Sequence, residues 1–255
     1  MKIATWNVNS LRVRLPHVLQ WLDYAKPDVL ALQETKLTDE NFPVDELRAA
    51  GYRCVFSGQP TYNGVAILSK QESVEIVTDI PGFEDTQRRV LGATCGGVRI
   101  LNLYVPNGQS VESDKYHYKL EWLKALQEYV KTQLTTNKNI CVLGDFNIAP
   151  EDRDVHDPEE WRGKVLCSDP ERAAFRELLA LGLEDSFRLF DQAEASYSWW
   201  DYRAAAFRRN RGLRIDLILA SKPMAEACTG CHVDREPRAW ERPSDHTPVV
   251  AEFRN

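Results

Sequence analysis

In the stretch VLGDFN, Val142–Asn147, an apolar run ends in a carboxylate and a carboxamide two residues apart. Side chains alternate along a strand, so Asp145 and Asn147 are expected on one face and Phe146 on the other. A packed core gains nothing from two polar side chains converging at one place. A site for a metal or a phosphate gains a great deal. Asp and Asn are also common turn residues, so this pair alone does not decide the matter.

The same break recurs along the chain. Asn7 ends the apolar run KIATWNVN, Glu34 ends DVLALQE and Tyr104 ends the core of VRILNLYVP. Asp216 lies within LRIDLIL, and Asp245 with His246 immediately precedes TPVVAEF. Each has an ordinary structural explanation; six strand ends breaking the apolar rule together point to a site. The residue types suit hydrolysis of a phosphodiester. Glu34, Asp245 and the Asn7 carboxamide are hard oxygen donors, fit for Mg²⁺ or Mn²⁺ rather than zinc. Asp145 is the candidate to orient and deprotonate a water, and Asn147 to donate to a phosphoryl oxygen as charge builds there. An imidazolium beside a phosphate wants a carboxylate on its far nitrogen. On extended backbone Asp245 and His246 diverge, so Asp216, from another strand, is expected to be that partner and Asp245 to face the metal. Tyr104 would give its phenol to the phosphate or the leaving group.

The elements that must hold these residues are legible as short strand patterns with helical patterns between some of them. KIATWNVN, DVLALQE, GVAILSK, VRILNLYVP, NICVLGDFN, RIDLILAS and TPVVAEF are bounded by turn formers. Leu15, Val18, Leu19 and Leu22 predict one helix, Leu123, Leu126, Val130 and Leu134 a second, and Glu171–Leu181 a third, stopped by Gly182. ATWNVNSLRVRLPHVLQWL and VLGDFNIAP echo one another, each running an apolar strand into a polar end that carries asparagine. The pattern implies an α/β fold with two sheets face to face and helices outside, residues 1–255 forming a single catalytic domain.

Composition narrows the function classes. Hydrophobic content of 43% and charged content of 27% are ordinary for a globular protein. The net charge of −6 argues against coating nucleic acid by bulk attraction, but not against a local basic grip on phosphates. FRRNRGLR, Phe207–Arg214, and QRR, Gln87–Arg89, are the basic runs. No apolar run approaches a membrane span and MKIATWNVNS lacks a signal-peptide pattern, so the expected location is the cytoplasm, with no membrane partner. The cysteines are then reduced. CTGC at Cys228–Cys231 has the spacing of zinc and redox sites, yet stands without a second such pair.

TWNVNSLR, LQETK, YNGVAILSK, QRRV, GDFNIAP, SYSWWDYR, RGLRIDLILAS and RPSDHTPVVAEF together resemble the exonuclease III family of DNA-repair nucleases, within the exonuclease–endonuclease–phosphatase superfamily. The likeness runs from Lys2 to Phe253 in order, and WWDYR, NRGLRID and QRR narrow it to the exonuclease III branch. It implies a four-layer α/β sandwich with two mixed sheets, a required divalent cation, Mg²⁺ with Mn²⁺ as substitute, and hydrolysis of duplex DNA in base excision repair. It implies the catalytic set Tyr104, Asp145, Asn147, Asp216 and His246. The implied metal surroundings are Asn7, Glu34, Asp145, Asn147, Asp245 and His246.

The resemblance further implies DNA contacts from Asn107, Gln109 and Lys119, more loosely from Arg88 and Arg89, and a pocket for an extruded sugar lined by Trp199 and Phe207 with Leu166 and Cys167 beside it. The partner is then duplex DNA with abasic sites or blocked 3′ ends. Nothing suggests an obligate protein partner, so a monomer is expected. Within the family's range, 3′-5′ exonuclease, 3′-end cleaning and abasic-site cleavage are all open. EEWRGKVLCSDPERAAF departs most from the family pattern, and a bulky group there would close the pocket and leave 3′-end processing alone. A lipid or inositol-phosphate substrate would call for membrane-seeking apolar loops, and a catalytically dead nucleic-acid binder should have lost metal-site acids that this chain retains.

Overall fold

The computed structural model describes residues 1–254. The chain runs through β1 (Lys2–Asn7), α1 (Leu11–Ala25), β2 (Val29–Gln33), α2 (Val44–Ala49), β3 (Arg53–Ser57) and β4 (Val65–Ser69). β5 (Ser73–Thr78), β6 (Val90–Cys95), β7 (Val98–Tyr104), α3 (Asp114–Thr136) and β8 (Ile140–Asp145) follow. Next come α4 (Pro158–Trp161), α5 (Asp169–Ala180), β9 (Leu183–Asp185), β10 (Trp199–Trp200) and β11 (Gly212–Leu213). The chain closes with β12 (Asp216–Ser221), α6 (Lys222–Ala227), β13 (Cys228–Val233) and β14 (Val249–Phe253).

Two six-stranded sheets result, ordered β13-β14-β1-β2-β4-β3 and β5-β6-β7-β8-β12-β9. Each is built around a central strand with one parallel and one antiparallel neighbour. β1 lies between parallel β2 and antiparallel β14, and β8 between parallel β7 and antiparallel β12. This is the structural content of the internal echo. Strands covered on both faces need apolar residues throughout, which is why ICVLGD is buried at every position.

Three apolar layers glue four layers of structure. Ile3, Ala31, Ile67, Ile100, Cys141, Leu143, Ile218 and Ala251 fill the space between the sheets. Leu11, Val18, Trp21 and Leu22 of α1 and Leu47 of α2 cover the outer face of the first sheet. Trp122, Leu123, Leu126 and Val130 of α3 and Phe175 and Leu178 of α5 cover the second. The architecture is the expected α/β sandwich. α1 stops where Lys26 turns left-handed at φ 48° ahead of Pro27. α3 starts at Ser113, whose side chain accepts from the Tyr116 amide at 3.1 Å. Among the described residues no helix is long and apolar enough to cross a membrane.

Several strands escaped the periodicity. β5 is an edge strand whose Val74 and Ile76 face solvent, so no alternation marks it. β6 contains Gly92, at which a Cβ would stand 2.8 Å from the Arg99 guanidinium; the glycine makes room for a buried arginine. CTGC lies on edge strand β13, with a bulge between Cys228 and Gly230 and Cys231 turned into the core between the sheets.

One glycine is forced by the site. Gly144 has φ 140°, and a Cβ there would meet the Leu103 carbonyl oxygen at 1.9 Å. Gly144→Ala should therefore cost about 3 kcal/mol or more in urea unfolding, combining backbone strain with overpacking. Gly182→Ala, at φ 101° with open space around it, should cost only about 1 kcal/mol. Equal losses at the two positions would contradict this account of Gly144.

Candidate active site

Sheet register assembles the chemistry. In the parallel β7·β8 ladder Tyr104 stands opposite Asp145, and in the antiparallel β8·β12 ladder Asp145 stands opposite Asp216. Side chains opposite one another share a face, so this one rung carries a phenol and two carboxylates side by side. Cys141 and Leu143 lie on the inter-sheet face of β8, and alternation puts Asp145 there too. Phe146 goes the other way, edge-on to Phe175 among the helices.

The first sheet meets the rung end-on. Asn7, the last residue of β1, donates through Nδ2 to Asp145 Oδ2 at 2.9 Å. Glu34, one residue beyond β2 and left-handed at φ 52°, accepts from the Tyr104 hydroxyl. The segment before β14 is pinned over both. Ser244 Oγ donates to the Asn7 carbonyl at 2.7 Å and accepts from the His246 amide at 3.2 Å. Asp245 accepts from Trp199 Nε1 at 3.0 Å and from Asn9 Nδ2 at 3.1 Å.

His246 completes the cluster. Its Nδ1 lies 2.8 Å from Asp216 Oδ2, and its Nε2 lies 3.6 Å from Asp145 Oδ2. The Asp216–His246 pairing inferred from diverging backbone neighbours is the one found. Burial alone would push the imidazole down; Asp216 and Asp145 outweigh it and raise it to about 10. The buried Asp145 carboxyl is pushed well above the usual carboxylate range, first by desolvation and then by Asp216, with His246 and Asn7 opposing. Tyr104 rises for the same first reason, with Glu34 and Asp145 adding to it. His246 is thus an imidazolium at neutral pH, donating from Nδ1 to Asp216.

Asn147 reaches the site by a route the alternation argument did not anticipate. β8 ends at Asp145, and Asn147 sits in a left-handed turn at φ 47°. Its amide donates to Asp145 Oδ1 at 2.9 Å, and its Nδ2 donates to the Val105 carbonyl at 2.9 Å. Asn107 Nδ2 donates to Asn147 Oδ1 at 3.2 Å. Both carboxamides face a cavity of about 180 Å³ shared with Glu34, Tyr104, Asp145, Asp245 and His246. Its other wall is apolar, made by Leu166, Trp199 and Ile215.

The remaining expected contacts divide. Gln109 is exposed beside Asn107, its amide donating to Asn107 Oδ1 at 3.0 Å. Arg89 lies 4.6 Å over the Tyr104 ring and donates to the Tyr104 carbonyl. Arg88 turns to Asp79 at 2.8 Å. Lys119 does not reach the surface: it is fully buried, its ammonium bonded to the Asn107 and Asn147 carbonyls and to Glu171. The signal was present, since Lys119 precedes Leu123 by four and so lies on the buried stripe of α3. Phe207 does not line the cavity; it packs edge-on against Trp200 at 5.0 Å, under Arg235 and Arg238. Ile215 takes the place expected of it, hidden in the sequence because it is the apolar neighbour of Asp216. Asn9 and Lys36 were also missed: Lys36 Nζ donates to Asn9 Oδ1 at 2.6 Å and lies 3.5 Å from Glu34. The WNVNS and QETK spacings, two residues on from Asn7 and from Glu34, could have suggested them.

The donor set fits a hard divalent cation. Carboxylate oxygens of Asp145 and Asp216 and a ring nitrogen of His246 lie within 4.8 Å of one another. The carboxylates are the ligand candidates, the imidazolium having both nitrogens protonated, and Glu34 and Asp245 face the same cavity. Asp216 Oδ1 is buried without a partner, and the Asp145 carboxyl, raised first by burial and then by Asp216, is a group whose ionised form a cation would favour.

Residues 4–246 match the model of the endonuclease/exonuclease/phosphatase family. The chain belongs to that family. Within it, the chain is 39% identical to exodeoxyribonuclease III of Haemophilus influenzae, over all of both chains. Its fold superposes at TM-score 0.98 on a DNA-bound 3′ phosphatase from Neisseria, 50% identical over all of both chains. An AP endonuclease from Archaeoglobus fulgidus matches at TM-score 0.96 and 40% identity, again over both chains in full.

Asp216→Asn should remove the main force that raises His246 while leaving the ring buried, so the imidazole pKa should fall. Long-range ¹⁵N–¹H NMR titration of the metal-free protein reads this directly. An unchanged His246 titration would contradict the assigned pairing.

Proposed function

We propose that the protein is a divalent-cation-dependent phosphodiester hydrolase of duplex DNA acting in base excision repair, with 3′-5′ exonuclease, 3′-end-cleaning and abasic-site endonuclease activities. The single observation that carries this reading is the Tyr104–Asp145–Asp216 rung, with Asn7 bonded to Asp145 and His246 paired with Asp216, and with Asn147 and His246 lining one small cavity beside Tyr104 and Asp145. The names of the relatives support the DNA substrate and the nuclease reaction.

Each residue has a derivable task. Asp145, a carboxylate of raised basicity, accepts a proton from a water aimed at phosphorus. Asn147, oriented by Asn107 and the Val105 carbonyl, donates to a phosphoryl oxygen as its charge grows. The His246 imidazolium, held by Asp216, adds positive charge at the same place. Tyr104 stands by with its phenol, neutral at working pH. Glu34, Asn7, Asp245 and Asp145 would hold Mg²⁺ or Mn²⁺, with Asn147 and the His246 imidazolium beside them. When bound, the metal neutralises charge on the phosphate and on the leaving oxygen. The substrates are duplexes with abasic sites or blocked 3′ ends, handled by a monomer in the cytoplasm.

A second reading, 3′-end processing with little abasic-site cleavage, is favoured by Leu166. Its buried side chain lines the cavity from a left-handed position, φ 74°, and takes up space that an extruded sugar needs. Three labelled duplexes separate the readings: an internal abasic analogue, a recessed 3′-hydroxyl and a nick with a 3′-phosphate, each with Mg²⁺ and with EDTA. Metal-dependent action on all three is expected for the full repair enzyme. Action on the 3′ ends alone means the Leu166 wall is closed, and Leu166→Gly should then open incision. Asp145→Asn should lower turnover on every substrate about 10²- to 10⁴-fold. Cleavage of no duplex by the unaltered protein would overturn the nuclease reading.

A further inference from the structure

A lysine on the buried stripe of a helix needs its charge met, because an isolated ammonium away from water is very costly. Lys119 is 0% exposed and so is Glu171. Lys119 Nζ donates to Glu171 Oε1 at 2.5 Å, to the Asn147 carbonyl at 2.6 Å and to the Asn107 carbonyl at 3.1 Å. An ammonium has three donors, and here all three are used. None is left for a phosphate.

Glu171 carries the link onward. Its Oε1 also accepts from the Leu166 amide at 3.0 Å, and its Oε2 accepts from the Ser168 amide at 3.1 Å and the Ser168 hydroxyl at 2.6 Å. Tyr116, one turn before Lys119 on α3, closes the ring through its hydroxyl to Ser168 at 2.7 Å. The three segments so joined all line the cavity, through Asn107, Asn147 and Leu166, and Asn147 and Leu166 are both left-handed there.

We propose that the Lys119–Glu171 ion pair is a positioning device that holds the Asn107 and Asn147 carboxamides and the Leu166 wall in one register. It acts on turnover, through the residues it holds, and not on DNA affinity. The proposal rests on the nuclease reading for its kinetic consequence and on geometry alone for its structural one.

The test compares Lys119→Met, Lys119→Met/Glu171→Gln and the unaltered protein, all full length. The single variant strands a buried carboxylate and should melt lowest; the double variant strands no charge and should melt above the single variant, short of the parent by the carbonyls that lose their donor. In the double variant, kcat on the 3′-phosphate nick should fall about 10- to 100-fold from misplaced carboxamides, with KM changed less than about twofold. The slope of log Kd against log salt for the nicked duplex should be unchanged, whereas loss of a phosphate contact would reduce it by about one. Amide chemical shifts should move at Asn107, Asn147 and Leu166 together. A folded double variant with parental kcat and shifts would overturn the proposal, as would a raised KM with a shallower salt slope. Should the unaltered protein cleave nothing, the nuclease reading falls, and the joint shift of the three segments still decides the positioning claim.

Discussion

The constraint on which the rest of the structure depends is a carboxylate buried where two sheets meet. Asp145 is only 1% exposed, and a charge so placed is sustained only by groups arranged for it. Asn7 reaches it from the opposite sheet, the Asn147 amide folds back to it, and the His246 imidazolium stands beyond, neutralised in turn by Asp216. Two adjacent strands of one sheet, the last residue of the other and the segment before β14 are thereby fixed to one another. The site is the means by which the two halves of the sandwich are registered at that rim.

Chemical difference is laid over geometric likeness. β1 and β8 occupy equivalent places in their sheets and end at the same rim, but β1 ends in a carboxamide and β8 in a carboxylate. The carboxamide can donate to the carboxylate, which a second acid could not do in its ionised form. The crowding is paid for in backbone: Glu34 and Asn147 are left-handed, and the Leu103 carbonyl leaves Gly144 no room for a side chain.

Much of this was legible because both causes are local. The buried run ICVLGD and the turn after it announce a strand whose end is spent on chemistry, and Phe146 went to the helix side as alternation requires. The Asp216–His246 pairing followed from the divergence of neighbours on extended chain. What residue type alone could not supply was depth, although for Lys119 the helical spacing to Leu123 carried it. Lys119 and Phe207 have the types of DNA-contacting residues, yet one is enclosed with Glu171 and the other packed edge-on against Trp200. Asn147 arrives by a turn rather than by the strand, a distinction that periodicity does not carry. Edge strand β5, with apolar residues facing solvent, lacks the alternation that burial imposes.

The central claim is that the buried carboxylate at the seam is held by compensating charge and that a divalent cation completes the compensation. ¹³C NMR titration of the Asp145 carboxyl, without divalent ion and then with saturating Mg²⁺, tests it most directly. The account predicts a pKa well above the usual carboxylate range in the metal-free protein and a fall of more than one unit when Mg²⁺ binds, as a nearby positive charge favours the ionised form. An ordinary carboxylate pKa without metal, or a titration that Mg²⁺ leaves unmoved, would contradict it.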